Sequence, residues 1–576
     1  MSAPETIHQL VEKFAYNLHE YKNPRYSETQ VRVEFINPFW EALGWDVLNK
    51  AGHAMAYRDV IHEAQIKVGG STKAPDYAFK VGRERIFFLE AKKPSRDLKD
   101  DPAPAFQLRR YAWSAKLPVS MLTDFEELSI YDTRLKPAIS DKSHVARRLY
   151  FTYDEYIDKW DEIAEIFAKQ SVQRGAFDRF VESDGGVGKQ TLDRDFLNSL
   201  DEWRILLARN IALRNPELSE RELNYAVQKT IDRLIFLRMA EDRGIEPSET
   251  LRQLQNGENA YKRLVEIYER ADDRYNSGLF HFEEKDGANP DVITPGLRMD
   301  DKVLKEIIKN LYYPCPYEFS QMPVEVLGNA YEQFLGKRIT LTGGHRAKIE
   351  EKPEVRKAGG VYYTPQYIVD YIVEHTVGKL VMDKTPNQVS ELRVLDPACG
   401  SGSFLLGAYQ YLLDWHLKAY SAEHEKTGAF PTVPPAKGER PRKSDPQATF
   451  QDRHGQWALT TAEKKRILLN NIYGVDIDSN AVEVTKLSLL LKVLEHENSE
   501  TLHQQLGLWH ERALPNLSGN IKCGNSLIGP DYYEGRQSAL FDEEEMLRVN
   551  VFDWRQEFAD VFARGGFDAV IGNPPY

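Results

Sequence analysis

Four short apolar runs in the C-terminal third of the chain each close on a loop: "RVLDPACGSG", "NIYGVDID", "NIKCGNSLIG" and "FDAVIGNPPY". Helical text follows the first two. Strands joined by crossover helices run parallel, so the runs predict one parallel sheet with ligands outside the carboxyl ends of its strands. The loops are therefore where function is expected. In the first, Gly400 and Gly402 let backbone N–H groups approach a ligand closely, and Asp396 is placed to take a ligand ammonium. A dinucleotide fingerprint needs a third glycine where Leu405 stands, which argues against NAD. In the second, Asp476 is placed to hydrogen-bond ribose hydroxyls, and Asp478 to cap the next helix. In the third, Asn525 can meet an adenine edge. The fourth reads as a buried strand stopped by Gly572, since Pro574 and Pro575 lack the donor a ladder needs.

Composition narrows the setting. The chain has 576 residues, 41% hydrophobic and 28% charged, which is ordinary globular material for roughly four units. It holds no run of about 18 apolar residues, and its N-terminus, "MSAPETIHQL", is polar. Neither a membrane span nor a signal peptide is expected. Three cysteines, Cys315, Cys399 and Cys523, lie far apart, which suits a reducing cytoplasm. A net charge of −13 gives no global nucleic-acid signal, yet a local basic groove suffices for DNA.

Three regions are expected: 1–172, 173–355 and 356–576. The first mixes helices and strands. "SETQVRVEFINPFWEALG" opens on a capping-box pattern, Ser27 with Gln30, and sets Val31, Phe35, Phe39 and Leu43 on one helical face. Strand-like text follows in "DYAFKV", "RIFFLEAKK", "VSMLTDF" and "LSIYD", with a helix at "FQLRRYAWSA". The second region reads as an all-α connector of long amphipathic helices, "VEVLGNAYEQFLGKRI" among them. The third is the parallel-sheet region, interrupted by the insertion "KTGAFPTVPPAKGERPRKSDPQATFQDRHGQ", read as a loop. "SDGGVGKQT" misses the phosphate-loop pattern, with Ser183 for its first glycine and Gln190 after Lys189, and reads as a linker.

In the first region, "APDYAFKVGRERIFFLEAKKP" places Asp76 at the start of one strand and Glu90 and Lys92 on the next. Residues two apart on a strand share a face. Two carboxylates can hold Mg²⁺ through oxygen, and the lysine can orient a nucleophilic water. Charge directly after a buried apolar run is costly without a purpose. The pattern resembles the PD-(D/E)xK nuclease superfamily, and Gln107 with Tyr111 matches a further element of many such nucleases. Glu28 is a candidate additional acid, or simply a first-turn helix acid.

In the third region, "DPACGSG", "GVDID", "GNSL" and "NPPY", preceded by "GGVYYTPQYIVDYIV", resemble in that order the gamma class of N6-adenine DNA methyltransferases. The resemblance implies a Rossmann-like parallel-sheet domain using S-adenosylmethionine. By it, Thr364 contacts the donor's carboxylate, Asp396, Gly400 and Gly402 form the donor turn, Asp476 holds the ribose and Asn525 the adenine. The exocyclic amine of adenine is a poor nucleophile because its lone pair is delocalised. The Asn573 side-chain oxygen and the Pro574 carbonyl would accept its two N–H bonds and free that pair, and Tyr576 would stack a base flipped out of double-stranded DNA. "NPPY" also occurs in methyltransferases of glutamine side chains; the upstream element and the other regions favour DNA.

Nuclease, connector and methyltransferase in this order resemble the Type IIG restriction–modification enzymes. The expected fold is thus multidomain α/β: an α+β nuclease, an all-α connector and a Rossmann-like methyltransferase. The expected activities are methylation of adenine N6 and Mg²⁺-dependent cleavage of DNA. Two alternatives are a phage-defence adenine methyltransferase with an inactive nuclease fold and a non-catalytic DNA-binding or assembly subunit. The resemblance further implies a C-terminal target-recognition region that is missing or supplied elsewhere, so the methyltransferase is expected to be incomplete after Tyr576.

Overall fold

The strand-forming text of the first region pairs as its alternation requires. The computed structural model describes residues 2–52, 58–62, 67–68, 71–72, 74–82, 84–183, 191–275, 279–282, 290–352, 364–434, 445–451, 457–495, 497, 514–533, 546 and 548–573. It divides into two compact units: Met1–Asp195 with Glu241–Ser248 and Asn310–Pro323, and Phe196–Ala240 with Glu249–Lys309 and Val324–Tyr576. Among the described residues of the first, six strands form one sheet in chain order: β1 (Val60–Ile61), β2 (Tyr77–Val81), β3 (Glu84–Ala91), β4 (Val119–Thr123), β5 (Glu127–Asp132) and β6 (Arg147–Thr152). Neighbours are antiparallel except β3 and β4, which run parallel because the helix α1 (Pro102–Ser114) crosses between them.

Both faces of this sheet are covered. Phe87, Leu89 and Ala91 join a core with Phe35, Phe39 and Trp40 of the N-terminal helices. Phe88, on the other face, packs with Leu108, Tyr111 and Leu122. The N-terminal helix starts as expected: the Gln30 N–H donates to Ser27 Oγ at 3.2 Å and the Ser27 N–H to Gln30 Oε1 at 2.9 Å. Arg32–Ile36 is a π-helical turn, and Gly44, at φ +87°, stands just past the helix end.

In the second unit the region expected to be all helix also carries strands. The helix α2 (Val324–Leu335) ends before "GKRI", and β7 (Lys337–Leu341) pairs antiparallel with β8 (Ala347–Glu351). The apolar alternation Ile339, Leu341 against Ala347, Ile349 overrides the helical spacing, because the side chains of Asn224 and Glu220 complete the β7 backbone. The insertion, too, is more than a loop: Thr449–Gln451 pairs with Trp457–Leu459.

The expected parallel sheet forms from β9 (Val394–Asp396), β10 (Ile472–Asp476), β11 (Ile521–Cys523) and β12 (Ala569–Val570), ordered β11-β10-β9-β12 and parallel throughout. Helices α3 (Ser403–Thr427) and α4 (Ser479–Val493) follow the first two strands. Leu405, in the place of a third glycine, is fully buried. The close helix–strand approach is provided instead by Gly474 on β10, where an added Cβ would stand 2.7 Å from Leu405 Cδ1 and 3.1 Å from Cys399 Sγ. Among the described residues β12 pairs with β9 alone, and Val570 is 61% exposed. Among the described residues no helix is long and apolar enough to cross a membrane.

Gly474→Ala is expected to destabilise the chain by about 1–3 kcal/mol through overpacking. Gly400→Ala, at φ +52° in open space, should cost about 1 kcal/mol from backbone strain alone. Urea melts of the two variants decide this; equal losses would mean that Leu405 yields freely.

Candidate functional site

Charged groups gather at the strand ends of both sheets. In the first, the register sets Tyr77 opposite Leu89, which brings Asp76 beside Glu90. The Asp76 N–H donates to Glu90 Oε2 at 3.3 Å, the Ala91 N–H to Asp76 Oδ2 at 2.9 Å, and Lys92 Nζ to Glu90 Oε1 at 2.5 Å. The expected trio is therefore one cluster, with Lys92 just past the end of β3. Burial pushes the Glu90 carboxyl up, to about 7, and Asp76 adds to it while Lys92 opposes. Burial works against the Lys92 ammonium as well, but Glu90 prevails and holds its pKa above the ordinary lysine value.

The charge of Glu28 also reaches Lys92 from the first turn of its helix. Gln107 Nε2 donates to the Tyr111 hydroxyl at 2.9 Å, and burial, with Glu90 next, raises the pKa of that phenol. One partner escaped the sequence: Arg32 donates to Asp76 Oδ1 at 2.9 Å and to the Tyr77 hydroxyl at 3.1 Å. Its signal was an arginine inside an apolar helix, which a solvated face explains equally well. Among the described residues no group of three or more His, Cys, Asp or Glu is arranged to hold a metal. Asp76 and Glu90 alone supply oxygen donors, which fits a cation such as Mg²⁺ that binds through one or two carboxylates and keeps several waters.

In the second unit the carboxyl edge of the sheet collects the expected residues. Asp396 ends β9, buried, with its Oδ1 accepting the Ala398 N–H at 3.1 Å. Asp476 ends β10, and its carboxylate accepts the Gly400 N–H at 2.8 Å and the Asp478 N–H at 2.9 Å. Asp478 caps α4 as expected, accepting the Asn480 N–H at 3.0 Å, and also pairs with Lys352, which the sequence did not single out. Gly402 takes φ +87°, and an added Cβ would meet Thr485 Cγ2 at 2.9 Å, so this glycine serves packing as well as approach. Asn525 follows β11, and its Oδ1 accepts the Leu527 N–H at 3.1 Å.

Asn573 and Thr364, 209 residues apart, come together: Asn573 Nδ2 donates to Thr364 Oγ1 at 3.3 Å. Pro574 and Tyr576 lie outside the described residues. Burial pushes the Asp396 carboxyl up to about 7; the Ala398 N–H opposes this and the Asp476 carboxylate reinforces it. Asp476 is raised as well, chiefly by burial. A buried carboxyl disfavoured further by a part-buried carboxylate beside it makes a site suited to a cationic ligand.

The N-6 DNA Methylase family matches residues 323–430, and the Eco57I restriction-modification methylase family residues 470–576. The Type II restriction enzyme and methyltransferase RM.Eco57I of Escherichia coli is 33% identical over 100% of this chain and 53% of its own length. The chain is thus homologous along its whole length to a restriction–modification methyltransferase. RM.MjaORFECS2P of Methanocaldococcus jannaschii is 22% identical over 87% of this chain and 46% of its own. The chain thus spans about half the length of the curated relatives it matches. A solved DrdV–DNA complex aligns over 99% of this chain and 44% of its own, at 16% identity and a TM-score of 0.31, too low to bear on the fold. The match of residues 323–430 to the N-6 DNA Methylase family implies S-adenosylmethionine as the methyl donor.

A carboxyl raised by burial binds its proton more tightly folded than unfolded, so it costs stability as pH rises from about 4 to about 7. Asp396→Asn, which keeps the acceptor for Ala398, is expected to stabilise the chain at pH 8 by as much as about 4 kcal/mol. The gain should vanish below about pH 4. Denaturant melts against pH test it, and a variant no more stable at pH 8 would mean that Asp396 is charged without penalty.

Proposed function

We propose that this chain carries the donor site and part of the catalytic loop of a DNA adenine N6-methyltransferase, together with a separate Mg²⁺-dependent DNA cleavage centre. The observation that carries the first half is the convergence of Asp396, Gly400, Asp476 and the Thr364–Asn573 pair on one edge of a parallel sheet. S-adenosylmethionine supplies the methyl group there. Asp396 takes its ammonium, the backbone of Gly400 and Gly402 lets it lie close, Asp476 accepts its ribose hydroxyls and Asn525 meets its adenine. Thr364 has a second use: by accepting from Asn573 Nδ2 it leaves Asn573 Oδ1 as the free acceptor of that amide.

The substrate is double-stranded DNA with the target adenine flipped out. Asn573 Oδ1 accepts one N–H of its exocyclic amine and the Pro574 carbonyl the other, so the nitrogen lone pair turns toward the methyl donor. Tyr576 stacks on the extruded base. No covalent enzyme intermediate is needed. Asp476→Ala is expected to weaken S-adenosylmethionine by roughly 1.5–3 kcal/mol, about ten- to a hundredfold, by calorimetry. Asn573→Ala should leave that affinity unchanged and abolish tritiated methyl transfer to adenine N6. Unaltered transfer would remove Asn573 from the mechanism.

In the first unit Asp76 and Glu90 hold Mg²⁺, which would polarise the scissile phosphate and its water. Lys92, held by Glu90, orients the attacking water and Tyr111 closes the pocket wall. The supporting observation is the single face shared by these side chains beside a β3–β4 parallel pair. Lys92→Ala is expected to abolish Mg²⁺-dependent nicking of plasmid and to spare donor binding. A variant that still cuts would sink the cleavage assignment and leave the methyltransferase one intact.

A further inference from the structure

The β7–β8 hairpin has no part in either centre. Its inner face is tied down: Ile339 is buried, the Ile339 N–H donates to Asn224 Oδ1 at 3.0 Å, Asn224 Nδ2 donates to the Ile339 carbonyl at 2.7 Å, and the Leu341 N–H donates to Glu220 Oε2 at 3.0 Å. Lys337, on that face, pairs with Asp201. Its root is closed by the Lys352 N–H donating to the Gly336 carbonyl at 2.9 Å, and Lys352 in turn pairs with Asp478, two residues past Asp476. A two-stranded ribbon is marginal alone; this one is held as a rigid arm rooted beside the donor edge.

The outer face differs. Register sets Arg338 opposite Glu350 and Thr340 opposite Lys348. Residues of one parity share a face, so Arg338, Lys348 and, at the turn, Arg346 point the same way. All three are exposed. None has an ion-pair partner among the described residues, and Glu350 is the one acid on that face. The two exposed glycines of the tip, Gly343 and Gly344, keep it narrow, and the arm is about 17 Å long at roughly 3.4 Å per residue. In a chain of net charge −13, three exposed cations on one face of a fixed arm form a local positive patch of the kind that takes a polyanion.

We propose that this hairpin is a phosphate-binding arm that grips the backbone of duplex DNA beside the adenine presented to Asn573. The inference rests on the methyltransferase reading above for the identity of the polyanion. Cationic side chains on phosphates give affinity and position without reading bases, and each released counterion steepens the dependence of binding on salt.

The test is fluorescence anisotropy of the whole chain with two duplexes of unrelated sequence, across a salt series. The Arg338→Ala/Arg346→Ala/Lys348→Ala variant is expected to weaken both duplexes alike, at least about tenfold near 0.1 M salt, and to flatten the log–log salt slope by up to about 2.7. Arg338→Lys/Arg346→Lys, which keeps the charge, should restore the slope, showing that the arm acts by charge and not by its fold. An unmoved slope in the alanine variant, or no duplex binding by the parent chain, overturns the proposal, as does equal loss in both variants. Calorimetry with S-adenosylmethionine runs beside it. A chain that binds the donor with an unmoved slope loses the arm alone, whereas one that fails to bind the donor loses the methyltransferase reading while the slope still decides the arm.

Discussion

The hydrogen bond from the Gly400 N–H to the Asp476 carboxylate holds the donor edge together. It joins the loop after one strand to the end of the next, so the glycine turn and the acid expected at the ribose form a single rigid object. Its neighbours depend on it. The Cys399 N–H donates to the Val475 carbonyl at 3.0 Å, and Thr485 Oγ1 donates to the Gly400 carbonyl at 2.8 Å from α4. The turn is thus clamped by β10 on one side and by the helix following β10 on the other. Such bonds between backbone N–H and an ionised acid are stronger than neutral ones, and burial strengthens them further.

The two centres solve one electrostatic problem in opposite ways. Each sets a buried acid, Glu90 or Asp396, beside a part-buried one, Asp76 or Asp476, at the ends of neighbouring strands. In the first unit the cations are built in: Lys92 sits on Glu90 and Arg32 on Asp76. In the second, Asp396 has a backbone donor and no cationic partner among the described residues. Its burden is relieved only by a proton or by a positively charged ligand. A methyl donor carrying a sulfonium and an ammonium is such a ligand. The same arrangement costs stability in its absence, which is the usual relation between a preorganised site and the fold that carries it.

Much of the architecture was legible because its periods are strong. The alternation of 77–91, the spacing of the long helices and the strand–loop–helix order after Arg393 each depend on near neighbours in the chain. The capping box at Ser27 and the cap at Asp478 were legible for the same reason: a side chain reaching a backbone two or three residues away needs no tertiary context. The hairpin at 337–351 was hidden because β7 is completed by Asn224 and Glu220, more than a hundred residues earlier. Arg32 was hidden likewise, its partner Asp76 being set by folding alone.

By itself the sequence determined which residue types stand at each strand end, and hence the chemistry they can do: Asp396 and Asp476 as acids, Gly400 as a bare backbone, Asn573 before two prolines, and Asp76, Glu90 and Lys92 as two acids and a base on neighbouring strands. Those facts are local and covalent. Only the tertiary structure decided which of them meet. It set Asn573 against Thr364 and gave the missing third glycine's task to Gly474. It also raised the Asp396 carboxyl, because a pKa follows burial and the nearest charge, and both are fixed by packing between segments distant in the chain.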